Sequence, residues 1–209
     1  MYQQIIKVNN RTKLIEFLDC LQSNDFSKET GVQKSTTHGK FSRIQATIVD
    51  WTNGKKEKAV VVSYNFHPTV LKAISHAVLT NQLEDFKKTD KYSKKIGYFE
   101  QKINFYNKND EGYSPVSSIN IRFQEQMNAP WTITIENGLG IAEISDIGGV
   151  SIKRGTYKPL NSATVYLTQL QMIQCMTELK DYIQNFENIH MERMLEYREQ
   201  YKESLTEKK

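Results

Sequence analysis

Twice along this chain a run of alternating apolar residues passes directly into a stretch whose apolar residues recur every three or four positions. That change of period, from 2 to 3.6, marks a strand feeding a helix, and its repetition constrains the fold more than any other feature. In residues 41–51, Ile44, Ala46 and Ile48 alternate with Arg43, Gln45 and Thr47. Thr52-Asn53-Gly54 supplies a turn, with Asn-Gly tolerating positive φ, and residues 58–66 give a second strand. His67-Pro68 then opens a helix reaching Leu79, its apolar stripe formed by Val70, Leu71, Ile74, Ala77 and Val78.

The second passage is longer. Strand patterns run over 97–106, 116–124, 131–137, 149–157 and 163–167. Turn-forming runs separate them at 107–112 and 127–130 and in a glycine-rich stretch, 138–148. Thr168 is suited to cap a following helix with Met172, Met176, Leu179, Ile183 and Phe186 on one face. The pattern continues loosely through Met194, Tyr197 and Tyr201, which extends the helix toward the tail. Ahead of all this, Leu14, Phe17, Leu18 and Leu21 predict a short amphipathic helix over 11–22, and the Ser-, Thr-, Gly- and Lys-rich segment 27–40 reads as a linker. The polar, lysine-rich residues 84–95 connect the two halves. The expected fold is α+β, built of tandem antiparallel sheet-plus-helix units with a long C-terminal helix. Residues 1–40 form its N-terminal helix and linker, 41–186 the two-unit domain, and 187–209 a charged helical tail suited to a subunit contact.

At 209 residues the chain can bury a core without metals or disulfides. Apolar runs fall short of a membrane span, and the N-terminus lacks the apolar stretch of a secretory signal, so a cytoplasmic protein is expected. Cys20 and Cys175 stand far apart with no metal-ligand spacing around them and read as small buried hydrophobes. The histidines at 38, 67, 76 and 190 form no His-x-x-x-His pair. Gly138-Leu139-Gly140 does not extend to a dinucleotide fingerprint, and Gly148-Gly149 lacks the Lys-Ser/Thr of a phosphate loop. Asp50, Glu136, Glu143 and Asp146 are not paired by spacing. A non-catalytic protein without metal or cofactor is the expectation.

The seam from Ala163 through Leu167-Thr168-Gln169-Leu170 to Leu179-Lys180 and Ile183 resembles the strand-to-helix seam of the Whirly and positive-cofactor-four-like single-stranded-DNA-binding superfamily. Residues 56–70, from Lys56 through Val60-Val61-Val62 to His67-Pro68, look like the equivalent seam of a first unit. Whirly proteins carry two copies of a four-strand-plus-helix unit. The resemblance implies binding of single-stranded nucleic acid across exposed sheet faces, with helices supporting assembly into a homo-oligomer.

Independently of that likeness, basic and aromatic residues interleave on the polar side of the strands. The alternation in 98–106 puts Phe99, Ile103 and Phe105 on one face and Tyr98, Lys102 and Tyr106 on the other, taken here as the outward one. Arg43 and Trp51 fall on the polar side of the first strand, and Arg122 on that of the strand 116–124. Lys55, Lys56 and Lys58 crowd the hairpin, Lys95 ends a lysine-rich run, and Lys153 and Arg154 precede Tyr157. Rings flanked by cations suit an unpaired strand, because bases stack on the rings while ammonium and guanidinium groups track phosphates. Lys plus Arg exceeds Asp plus Glu by 28 to 24, which permits an anionic partner without demanding one. The expected function is sequence-tolerant binding of single-stranded DNA or RNA, away from membranes. The Lys-, Asn-, Ile- and Tyr-rich composition suggests a bacterial mobile element or phage as source. A protein-interaction or inhibitor module docking on a larger complex is the alternative.

Overall fold

A computed structural model describes residues 3–21, 42–82, 97–145, 149–192 and Glu196. Its first sheet, sheet A, is an antiparallel meander of β1 (Gln3–Asn9), β2 (Lys13–Cys20), β3 (Arg43–Asp50) and β4 (Val60–Phe66). Asn10 makes the first hairpin turn: its Oδ1 accepts from the N–H groups of Thr12 (3.2 Å) and Lys13 (2.9 Å), a side-chain mimic of a backbone turn. The second hairpin bends at 51–54, where the Gly54 N–H donates to the Trp51 carbonyl (3.0 Å), and continues through a 3₁₀ turn, Lys56–Lys58. Positive φ falls on Gly54 (127°) and Lys56 (57°) rather than on Asn53.

Helix α1 (Pro68–Leu79) starts as its sequence dictates, with Pro68 in the first turn and the His67 Nδ1 accepting from the Thr69 N–H (3.3 Å). Sheet B holds β5 (Gly97–Ile103), β6 (Ser114–Phe123), β7 (Trp131–Gly140) and β10 (Lys158–Leu167) in the order β10-β7-β6-β5. A small hairpin, β8 (Ala142–Ile144) and β9 (Val150–Ile152), interrupts the run between β7 and β10. Helix α2 (Gln169–Ile189) opens on a capping box: the Thr168 Oγ1 accepts from the Gln171 N–H (3.2 Å) and the Gln171 Oε1 from the Thr168 N–H (2.9 Å). The chain is thus α+β, two four-stranded antiparallel sheets each followed by a helix.

One continuous core joins everything. Ile15, Phe17, Ile48 and Tyr64 of sheet A meet Ile119, Trp131, Ile133 and Ile135 of sheet B, with Leu71 and Ile74 of α1 and Met176, Leu179 and Ile183 of α2. Each such side chain contributes about 1.5–3 kcal/mol by leaving water. The helices pack on each other, with Lys72 of α1 ion-paired to Glu187 of α2 (2.6 Å). The Tyr182 hydroxyl donates to Asp19 (2.8 Å) and ties α2 to β2.

Three sequence expectations change. Residues 11–22 are not a helix: Lys13–Cys20 is strand β2, paired through its length with β3 and preceded by a further strand, β1. The spacing of Leu14, Phe17, Leu18 and Leu21 fits 3.6, but the residues of the strand actually buried are Ile15, Phe17 and Cys20, and Ile15 and Phe17 keep the strand's period of 2. Ile15 sits opposite Ile48 and Phe17 opposite Ala46, so two ready-made core rows of β3 select the extended form. The first unit therefore begins at Gln3 and has four strands rather than two. Gly138 and Gly140 likewise lie inside β7 rather than in a turn. A Cβ at Gly138 would stand 2.5 Å from the Lys158 carbonyl and 2.8 Å from the Tyr157 ring, so glycine here seats the chain returning into β10. The connection 84–95 and nearly all of the tail after Glu192 fall outside the described residues.

Candidate nucleic-acid interface

The third correction concerns which side of β5 faces out. Tyr98 pairs with Ile121 and Glu100 with Ile119, both core residues of β6, so Tyr98, Glu100 and Lys102 turn inward toward β4. Phe99 pairs with Asn120 and is 46% exposed on the opposite face. A strand shifted by one residue inverts every side chain, and the register here is set by the Ile119 and Ile121 rows. Tyr98 is accordingly a structural residue. Its hydroxyl donates to the Glu100 Oε2 (2.6 Å), which also accepts from the hydroxyl of fully buried Tyr64 of β4. The Lys102 Nζ lies 3.4 Å from the same carboxylate and 4.9 Å from the centre of the Tyr64 ring, and donates to the Asn65 carbonyl (3.1 Å). Burial pushes the Glu100 carboxyl up, but the two phenols and the ammonium outweigh it and hold it below its ordinary value. Burial and the neighbouring carboxylate push both phenols well above theirs, so they remain protonated donors.

The outward face of sheet B reads off the register in rows. Tyr166, Thr132, Arg122 and Gly97 lie side by side, and the next row is Thr164, Thr134, Asn120 and Phe99. Strands about 4.8 Å apart put the Tyr166 and Arg122 backbones about 10 Å from each other, with Phe99 on the far edge strand. Two exposed rings, Tyr166 (48%) and Phe99, thus flank one guanidinium across a floor of threonines. Arg122 Nε donates to the Asn120 Oδ1 (3.0 Å), which fixes the side chain along the strand and leaves its Nη end out of that bond. A Cβ at Gly97 would stand 2.4 Å from the Ile121 carbonyl and 3.2 Å from the Arg122 Cγ, so glycine opposite Arg122 gives its stem room.

The remaining candidates from the sequence divide among other places. Trp51 is half-buried at the hairpin end of sheet A, where its Nε1 donates to the Arg11 carbonyl (3.2 Å), and it serves that corner as a strut. Lys55, Lys56 and Lys58 are exposed on the adjacent turn, with Arg11 nearby on the β1–β2 turn. The neighbouring Asp50 is raised by burial but lowered further by the Lys13 ammonium at 2.8 Å and by Thr52, to about 2. Arg43 is half-buried opposite Cys20 on β3. Tyr106, 78% exposed, lies beyond β5 in the loop that also places Lys108 4.7 Å from the centre of the Phe105 ring. Lys153 and Arg154 are exposed between β9 and β10, and the Lys158 Nζ stands 3.9 Å above the Tyr113 ring. Tyr157 turns inward over Gly138 and donates to the Glu136 carboxylate. Lys95 lies outside the described residues. The predicted set is therefore not one surface: Arg122 belongs to the outward face of sheet B, the Lys153–Arg154 pair to the exposed turn between β9 and β10, and the hairpin lysines to sheet A.

Sequence reasoning missed Phe99 and Tyr166. Tyr166 was readable, since Val165 and Leu167 beside it are plain core residues. Phe99 was not, because both parities of β5 carry rings. Among the described residues no three His, Cys, Asp or Glu side chains converge as a metal site, and no helix is long and apolar enough to cross a membrane. Compared with family models, curated proteins and solved structures, the chain matches none.

Proposed function

We propose that this chain is a non-catalytic, sequence-tolerant single-stranded nucleic-acid-binding protein whose primary contact is the outward face of sheet B. The observation that carries the reading is the pair of exposed rings, Phe99 and Tyr166, set on either side of Arg122 on a flat, pleated floor. Bases stack on such rings whatever their identity, at about 1–3 kcal/mol each, while a guanidinium pairs with phosphate. Lys108, Lys153 and Arg154 extend positive charge beyond the sheet. The order of four strands and a helix, repeated, is also the order that the likeness to Whirly proteins implies. Unpaired DNA and RNA both fit this chemistry.

Anisotropy titration of a labelled oligothymidylate against rising salt tests the reading. Contact with roughly three to five phosphates gives a slope of log K on log salt of about −2 to −4, and a duplex of the same sequence binds more weakly because its bases are stacked inside. Passage through single-stranded-DNA resin at low salt without retention would overturn it.

Assembly through the helices is part of the proposal. Ile189 and Met191 leave apolar surface exposed at the end of α2, next to the mutually tilted rings of Phe186 and His190 (ring centres 4.5 Å apart). Light scattering during size exclusion should give at least a dimer mass, with Ile189→Glu shifting it to the monomer. A wild-type monomer at tens of micromolar concentration removes self-association but leaves the binding face untouched.

A further inference from the structure

Where β4 packs against sheet B, its far side opens on a groove of about 450 Å³. Its polar lining includes Asn65, Lys102, Asn104, Ser117 and Asn161, and Leu160 forms an apolar lip. The backbone edge inside this groove is already closed. Asn137 accepts from the Ser63 N–H (3.0 Å) and donates to the Ser63 carbonyl (2.9 Å), and the Asn65 carbonyl is taken by Lys102. A peptide strand would find those ladder positions occupied. What the groove offers instead is side-chain chemistry. The amides of Asn65, Asn104 and Asn161 and the Ser117 hydroxyl have no side-chain hydrogen bond among the described residues. Leu160 is 61% exposed, where β10 bulges between Pro159 and Asn161.

Amide and hydroxyl groups around an apolar lip match a flat ring that carries donors and acceptors on its edge and an apolar face, which is a nucleobase. A second open groove, of about 440 Å³, adjoins the first on the outward side of sheet B between the end of β5 and the β9 arm. Both are lined by Lys102 and Ile103. An extended polymer following β5 from Phe99 covers about 13 Å to reach Ile103 and then rounds the strand end into the amide groove. Lys102, paired with Glu100 but with its side chain 38% exposed, lines both grooves at that corner.

We infer that the amide groove is a second subsite for the same single strand, holding one or two unstacked nucleobases by their edges. This rests on the nucleic-acid reading of the outward face, and the two fail in different ways. The triple variant Asn65→Ala, Leu160→Ala, Asn161→Ala changes exposed residues only, and its melting temperature is expected to match the wild type. Anisotropy with oligothymidylates of about four, eight and twelve nucleotides, the shortest read by competition, gives the answer. The variant should bind the longer two about tenfold more weakly and the shortest unchanged. Abasic sugars at one end of the longest oligonucleotide should weaken wild-type binding by a similar factor and the variant hardly at all. Equal affinity of variant and wild type at every length overturns the subsite, as does equal weakening at every length. No binding by the wild type at any length removes this inference together with the outward-face reading; retained length dependence in the variant removes this inference alone.

Discussion

Glu100→Ala should lower the melting temperature by about 6–12 °C near neutral pH, from a loss of about 3 kcal/mol in a chain of this size. The carboxylate is the common acceptor for the hydroxyls of Tyr64 and Tyr98, and it faces the Lys102 ammonium. Tyr64 is fully buried, so removing its acceptor strands a donor away from water, at a cost of about 1–3 kcal/mol. Loss of the charge-assisted bond from Tyr98 adds to this; water reaching partly exposed Lys102 offsets some of it. The seam concerned is the one that joins β4 of sheet A to β5 of sheet B. Glu100→Gln keeps an acceptor oxygen in place and should recover about half of the loss.

The same site fixes a pH dependence. Because the folded-state value of Glu100 is depressed, the unfolded chain takes up this proton first as the pH falls. Its stabilisation is complete above the ordinary carboxylate value of about 4.3 and disappears as the pH drops through the lower folded value. Asp50, held at about 2, acts in the same direction at the other end of sheet A. Melting curves at neutral pH and at about pH 3 should therefore show wild type and Glu100→Gln converging in acid. A constant gap between them, or none at neutral pH, would mean that the carboxylate does not hold the seam.

Replacing Phe99, Arg122 and Tyr166 together by Ala should weaken single-strand binding by about two to three orders of magnitude. Two stacking contacts toward the lower end of about 1–3 kcal/mol each, as suits solvent-exposed rings, and one phosphate pairing give that range, at about 1.4 kcal/mol per factor of ten. All three side chains lie on the outward face, so the cost in stability should be confined to strand propensity, about 1 kcal/mol or less per site. Tyr98→Phe is the informative contrast. Its hydroxyl serves Glu100, so it should lower the melting temperature and leave oligonucleotide affinity where it was. The opposite pattern, with binding lost in Tyr98→Phe and kept in the triple variant, would falsify the assignment of the binding face. Arg122→Lys separates charge from geometry: it retains the salt slope while losing the bond to Asn120 that orients the group.

The two strand-to-helix seams, the cap at Thr168, and the core positions Ile44, Ala46 and Ile48 of β3 follow from local chemistry. Each depends on residues within a few positions of one another, so composition and period determine them without reference to the rest of the chain. Lys13–Cys20 and Gly97–Ile103 did not yield to that logic. In the first, two apolar periods coexist in eight residues, and only pairing with the Ala46 and Ile48 rows of β3 selects the strand. In the second, rings occupy both faces, and parity is decided by the Ile119 and Ile121 rows across the ladder.

The amino-acid order by itself determined the α+β class and the repeated passage from sheet to helix. Tertiary structure alone decided which ring faces a ligand and which secures a seam: Phe99 is outside and Tyr98 inside because the face of a strand is set by the register of its neighbour. Register is a long-range property, fixed by burial of β6 against the shared core, and one residue of slip exchanges the two faces completely.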